Sequence, residues 1–171
     1  IRVGVMNAWP PLNFVDEHGR LQGIGVDYIQ LMNKKLGNAL VLEASPFIEN
    51  FNRVKEKNLD ALMDITPQPE RVPFFHFTNP YLIIPHVIVG RKNSPYIESE
   101  KDLTGRTIAI ERGFYNIEYF QKNFSQISIR EYESTSDALD AVSRNEADAY
   151  VGNRAVVIYT IEKDLLTNLQ V

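Results

Sequence analysis

The 171-residue sequence has no cysteine, a single tryptophan, no excess of basic residues and no long apolar run. Without cysteine there is no thiolate metal site, no disulfide framework and no cysteine nucleophile. The absence assigns no compartment, because many exported proteins also do without the residue. The longest apolar stretches, such as residues 155–159, fall far short of the roughly 20 residues that cross a bilayer. Ile1 begins directly in strand-like sequence, so any signal peptide or membrane anchor is expected outside these residues. There are 18 Lys and Arg against 22 Asp and Glu, for a net charge of -4. Up to residue 90 there are 8 basic and 9 acidic residues, and beyond it 10 and 13, so neither half suits nucleic acid or an anionic membrane.

The familiar catalytic signatures are lacking as well. No GxSxG elbow, P-loop or HExxH occurs, and His18, His76 and His86 show no ligand spacing, which points to surface or packing roles and to no metal. GIGVDY at 23–28 starts like a dinucleotide fingerprint, but Tyr28 stands where its third glycine belongs. Glu131 and Glu133 share one face of a strand, a spacing that is ordinary for a solvated surface.

What is present is an alternation of strand and helix patterns. Residues 1–6 are β-rich and end at the prolines of NAWPPLNF, and DEHGRLQG reads as a hairpin turn. Val26, Ile29, Met32 and Leu36 then recur at helical spacing until Gly37 stops them. A strand at 40–43, a helix with Phe47, Phe51 and Val54 on one face, and a strand at 60–64 complete a βαβαβ order. The second half repeats it: strand 107–111, helix 115–124, strand 127–132, helix 136–145, strand 148–152 and helix 154–163. NLDALMD at 58–64 and EADAYVG at 146–152 echo one another. The pattern predicts an α/β protein of two lobes, 1–90 and 91–171, with a hinge near residues 89–92. Each lobe is expected to hold a mostly parallel sheet flanked by helices, with ligands beyond the C-terminal ends of its strands.

TPQPER at 66–71 sits at such a strand end. Two prolines stiffen it, Thr66 offers a hydroxyl, and Arg71 can fork onto a carboxylate. The competing reading, a helix N-terminus with Arg71 on the surface, stands level with it. Trp9 and Phe47 could wall a ligand or simply fill core. The amides of Gly113, Phe114 and Tyr115, between a strand and a helix, could hold a polar ligand group or merely start that helix.

Taken in order, RVGV, PPLNF, GxxxGxGVDYI, Phe47 before a helix, DALMDITPQPER, FTNPYL, DLTGRTIAIERG and ADAYVGN resemble the extracellular solute-binding proteins of family 3, with their type 2 periplasmic-binding, or Venus-flytrap, fold. TPQPER, AIERGF and ADAYVGNRAVVIY are most similar to the versions fused as sensors to histidine kinases or diguanylate cyclases. The resemblance implies a ligand-binding module and not an enzyme. Trp9 and Phe47 would stack on the ligand, Thr66 would hydrogen-bond it and Arg71 would bind its carboxylate. Gly113, Phe114 and Tyr115 would present amides and an aromatic wall.

Two departures bear on the ligand. Asn153 stands where amino-acid binders carry an aspartate for the ammonium, and Asp64 stands where glycine is common. The charge would then have moved to Asp64, or Asp64 would simply satisfy backbone amides at the start of TPQPER. The implied partner is a small amino acid or carboxylate, with no cofactor and no nucleic acid. The place is the periplasm or another extracytoplasmic space, with a membrane tether outside these residues, a further segment completing the first lobe, and a homodimer of the full-length receptor as a further expectation. The rival readings are a free receptor of an amino-acid ABC transporter and a dehydratase-like enzyme, for which Asp64 and Glu111 are the titratable candidates.

Overall fold

The computed structural model describes residues 1–171 and divides into two compact units, Ile1–Leu82 and Ile83–Val171. In the first, strand β1 (Arg2–Met6) is the centre of a three-stranded parallel sheet, with β5 (Val41–Ser45) on one side and β6 (Ala61–Leu62) on the other. A central parallel strand is covered on both faces, which explains why RVGVM is apolar without alternation and buried from Val3 to Met6. Gly4 is part of the same packing, since a Cβ there would meet Leu59 and the Asn50 amide at 2.9 and 3.0 Å. Asp60 ties β6 to β1 by accepting from the backbone N–H and guanidinium of Arg2, bonds that pull its carboxyl down to about 2.

Between β1 and α1 (Ile24–Lys35) the chain makes a small antiparallel sheet of β2 (Ala8–Trp9), β3 (Asn13–Val15) and β4 (Leu21–Gln22). The prolines that end β1 thus do not prevent short strands on either side of them. Helix α2 (Phe47–Lys55) follows β5. Val3, Val5, Ile29 and Met63 form the buried centre of this unit.

The second unit is a five-stranded sheet in the order β11-β7-β10-β8-β9. Its strands are β7 (His86–Arg91), β8 (Thr107–Glu111), β9 (Ser128–Tyr132), β10 (Ala149–Asn153) and β11 (Leu169–Gln170). Strands β8, β9 and β10 are parallel, while β7 runs antiparallel to β10 and to β11. Helices α3 (Tyr115–Asn123), α4 (Thr135–Ser143) and α5 (Arg154–Lys163) complete the βα grammar. Strand alternation divides the core in two: Ala109 and Tyr150 join Leu139, Val142 and Val157 in one cluster, whereas Ile108, Ile110, Ala149 and Val151 join Ile117 and Phe120 in the other. Full burial of a side chain such as Leu139 contributes about 1.5–3 kcal/mol.

Two features differ from the sequence expectation. Residues 83–90, assigned there to the first lobe, lie in the second unit because β7 pairs with β10 along Val87, Ile88 and Val89. The 60–64 strand shrinks to two residues. Asp64 adopts φ +56°, a left-handed conformation that cannot extend a ladder, whereas the echoing segment keeps five strand residues as β10.

Candidate functional site

In the first unit the proposed residues follow the C-terminal ends of the parallel strands, as expected of an α/β crevice: Trp9 after β1, Phe47 after β5, and Asp64, Thr66 and Arg71 after β6. TPQPER folds as a turn. The N–H groups of Arg71 and Val72 donate to the Gln68 carbonyl over 2.9 and 3.2 Å, and those of Phe74 and Phe75 donate to the Arg71 carbonyl over 3.0 and 3.1 Å. Arg71 is not the surface residue of the competing reading. It is only 3% exposed, and its guanidinium carbon lies 5.5 Å from the ring centroids of both Phe47 and Phe51. Such stacking suits a planar, weakly hydrated guanidinium.

Phe47 is buried and stacks on Phe51 at 6.0 Å, and Phe51 stacks in turn on Phe75 at 5.3 Å. The sequence reading placed Phe51 on a helix face but missed that Phe51 and Phe75 continue the aromatic wall beside Arg71. The four-residue spacing of Phe47 and Phe51 was the available signal. Trp9 is half-buried at the end of β2, and Thr66 is exposed.

Asp64 departs from one of its two expected roles. Its carboxylate accepts from the side-chain amide of Asn13 and from the Tyr81 hydroxyl, not from backbone amides of TPQPER. Burial raises its carboxyl above the usual carboxylate range, and the bonds from Tyr81 and Asn13 only partly offset that. The glycines of GIGVDY are explained by the same neighbourhood. A Cβ on Gly23 would fall 2.1 Å from the Leu12 carbonyl oxygen, and one on Gly25 would fall 2.5 Å from Asn13 Oδ1. Close packing at the start of α1, not phosphate binding, accounts for their spacing.

In the second unit Gly113 turns the chain at φ +78° after β8, and the Phe114 N–H donates to the Glu111 carbonyl over 3.1 Å. Phe114 precedes α3 and packs on the Ile108–Phe120 core. Tyr115 lies against His86, with ring centroids 5.2 Å apart and a 3.2 Å bond between its hydroxyl and Nδ1. Burial, and then the charge of Glu100, raise the Tyr115 phenol, and burial lowers the His86 imidazole.

Asn153 closes β10 and caps α5. Its Oδ1 accepts from the N–H groups of Ala155 at 3.0 Å and Val156 at 3.4 Å. Glu111 is 3% exposed and accepts from Thr135 and from Tyr150, the latter at 2.7 Å, within the interior of the unit. Glu131 and Glu133 both pair with Arg112 at the surface. No helix is long and apolar enough to cross a membrane.

Residues 1–167 match the family described as bacterial extracellular solute-binding proteins, family 3. Among curated relatives, the ABC transporter arginine-binding protein 1 of Escherichia coli (strain K12) is 26% identical over 160 residues, 92% of this chain and 64% of that protein. The L-cystine-binding protein TcyJ of the same organism is 23% identical over 163 residues, 94% of this chain and 61% of that protein. The chain therefore spans less than two thirds of the length of either.

Among solved structures, a histidine kinase sensor domain with similarity to periplasmic binding proteins aligns with a TM-score of 0.93 and 27% identity, over 99% of this chain and 75% of that one. The holo arginine-binding protein from T. maritima aligns at 0.87 and 28%, over 99% and 75%. The fold is thus the two-lobe α/β fold of periplasmic binding proteins.

Proposed function

We propose that the chain, which belongs to the bacterial extracellular solute-binding proteins of family 3, is an extracytoplasmic sensor domain for an amino acid or another small carboxylate. The observation that carries this reading is the buried Arg71, a permanent cation stacked on Phe47 and Phe51 at the close of a proline-stiffened turn. A guanidinium is the side chain best suited to bidentate capture of a carboxylate. Trp9, Phe47 and Thr66 are the further ligand candidates of the first unit, and Gly113, Phe114, Tyr115 and Asn153 are those of the second.

The mechanism is a population shift. Conformations exchange, and the solute favours the one that binds it most tightly. The output would be a histidine kinase or similar module reached through a membrane tether, in a full-length receptor that pairs as a homodimer. The likeness to a histidine kinase sensor domain supports this output. Binding without turnover is the reading for Glu111 as well, since its bonds to Thr135 and Tyr150 serve the interior.

A second reading, the receptor of an amino-acid ABC transporter, is favoured by the arginine- and cystine-binding relatives. The test of binding is the mass of the small molecule released when purified protein is denatured, followed by its calorimetric titration. An amino acid or small carboxylate supports the reading, and a sugar or nucleotide overturns it. In cells, gene deletion that abolishes a transcriptional response to that solute but leaves its uptake intact supports the sensor. Loss of uptake supports the importer.

A further inference from the structure

Helix α1 has two apolar faces, and the first unit uses one of them. Gly25, Val26 and Ile29 are buried. On the opposite side Ile24, Tyr28 and Leu31 are 45, 42 and 55% exposed, where a surface helix ordinarily carries polar residues. Their spacing of four and then three residues sets them in one line, which Lys35 continues and Met32 borders. A line spaced in this way is the seam by which helices pair, with Tyr28 and Lys35 at a positions and Ile24 and Leu31 at d positions. Tyr28 is held in place there. Its ring lies against Tyr81, with centroids 5.1 Å apart at 44°, and the Tyr81 hydroxyl donates to Asp64. An aromatic side chain fixed before contact loses little freedom on binding.

The charges beside the seam select its occupant. Asp27 and Lys34 are exposed on the same flank, seven residues apart, and neither has an opposite charge three or four residues away on the helix. In a second copy of α1 running antiparallel across a two-fold axis, Tyr28 meets the second copy's Leu31, Ile24 meets the aliphatic stem of its Lys35, and Asp27 comes beside its Lys34. Symmetry makes each contact twice. A parallel copy would bring Asp27 beside Met32 and leave both charges unmatched. One helix of 12 residues is about 18 Å long, so the contact is small and the pair weak in solution. A shared membrane would strengthen it by raising the effective concentration.

We propose that the exposed face of α1 is the surface through which two copies of this chain pair, antiparallel and about a two-fold axis. The inference deepens the sensor reading above, in which the receptor is a homodimer, by giving that homodimer a contact in the first unit.

The test combines sedimentation equilibrium of the purified protein over a range of concentrations with oxidative cross-linking, which the lack of native cysteine makes clean. Wild-type protein should show a reversible equilibrium between monomer and dimer. Leu31→Glu should abolish it, Asp27→Lys should weaken it about tenfold or more, and Asp27→Lys combined with Lys34→Asp should restore it. A mixture of Ile24→Cys and Lys35→Cys proteins should form a disulfide-linked dimer. Ile24→Cys alone should not, because its two copies lie at opposite ends of the pair. The substituted side chains are all exposed, and circular dichroism checks that each variant folds. In cells, the full-length receptor carrying both Ile24→Cys and Lys35→Cys should cross-link as well.

A protein that stays monomeric and does not cross-link overturns the inference, as does a dimer that Leu31→Glu leaves intact. Cross-linking of Ile24→Cys with itself overturns the antiparallel arrangement. If the purified protein pairs but the full-length receptor does not cross-link, another segment covers this face and the inference is overturned. None of these outcomes touches solute binding, which titration of Arg71→Ala tests. Conversely, release of a sugar overturns the solute reading and leaves the pairing of copies standing.

Discussion

The Tyr150 hydroxyl donates to Glu111 Oε1 over 2.7 Å, inside the second unit and between two adjacent parallel strands, β10 and β8. Thr135, the first residue of α4, donates to the same oxygen. The bond therefore joins the strand that leads into Gly113–Tyr115 to the strand that ends at Asn153. Burial raises the Glu111 carboxyl, the bonds from Thr135 and Tyr150 opposing it only in part, and burial together with the Glu111 charge raises the Tyr150 phenol.

A carboxyl whose folded value is raised binds more protons folded than unfolded, so its stabilising contribution is complete at low pH. That contribution is lost as pH rises from the ordinary glutamate value of about 4.3 through the raised folded one. The Asp64 carboxyl acts with the same sign. Glu111→Gln should therefore gain stability relative to wild type between pH 4 and pH 8, as followed by urea unfolding at each pH. Parallel pH profiles for the two proteins would falsify this account of Glu111.

Gly152 leaves the room that the Tyr150 hydroxyl occupies, because a Cβ there would stand 1.9 Å from that oxygen. Gly152→Ala should displace the ring, weaken the bond to Glu111 and lower stability by about 1–3 kcal/mol, the usual cost of overpacking. Gly90→Ala is the control, since its Cβ would meet only Ile97 at an ordinary 3.5 Å. Melting temperatures of the two variants should differ clearly, and equal values would show that Tyr150 moves aside without cost.

As a helix cap, Asn153 makes a prediction about stability that needs no ligand. Asn153→Ala should cost about 1 kcal/mol in chemical denaturation, whereas Asn153→Asp should keep the cap and place a favourable negative charge at the start of α5. Equal losses in the two variants would argue against capping.

Arg71→Ala should weaken binding of the carboxylate solute by about 2–5 kcal/mol, the range for truncating one partner of a buried charge pair. Arg71→Lys should recover only part of this, because an ammonium lacks the planar fork. The turn around residue 71 is held by backbone bonds, so both variants should fold, which circular dichroism can verify. Unchanged affinity in the calorimeter would remove Arg71 from the site.

The candidate site was legible where chemistry and position coincide along the chain. Arg71 stands out because two prolines and a preceding strand define its turn, and Phe47 because it opens a helix after a strand. The partners of Asp64 were not legible. Asn13 and Tyr81 lie 51 and 17 residues away, and no local spacing announces them. The cap at Asn153 could have been read from a polar residue standing just before an apolar helix, but the likeness to a ligand-binding position competed with that reading.

The alternation of strand and helix was determined by the sequence alone. β-rich apolar runs bounded by turn residues, and apolar residues at helical spacing with Gly37 as a stop, mark the main strands and helices through their own neighbours. Helix α5 runs from Arg154 to Lys163, the same span that its pattern predicts. Only the tertiary structure decided that residues 86–91 join the second sheet, that Glu111 turns inward to Tyr150 and Thr135, and that Arg71 is buried on two phenylalanine rings. The reason is that periodicity records which face of an element is apolar. The strand that completes a sheet, and the donor that meets a buried carboxylate, are chosen by packing between segments far apart in the chain.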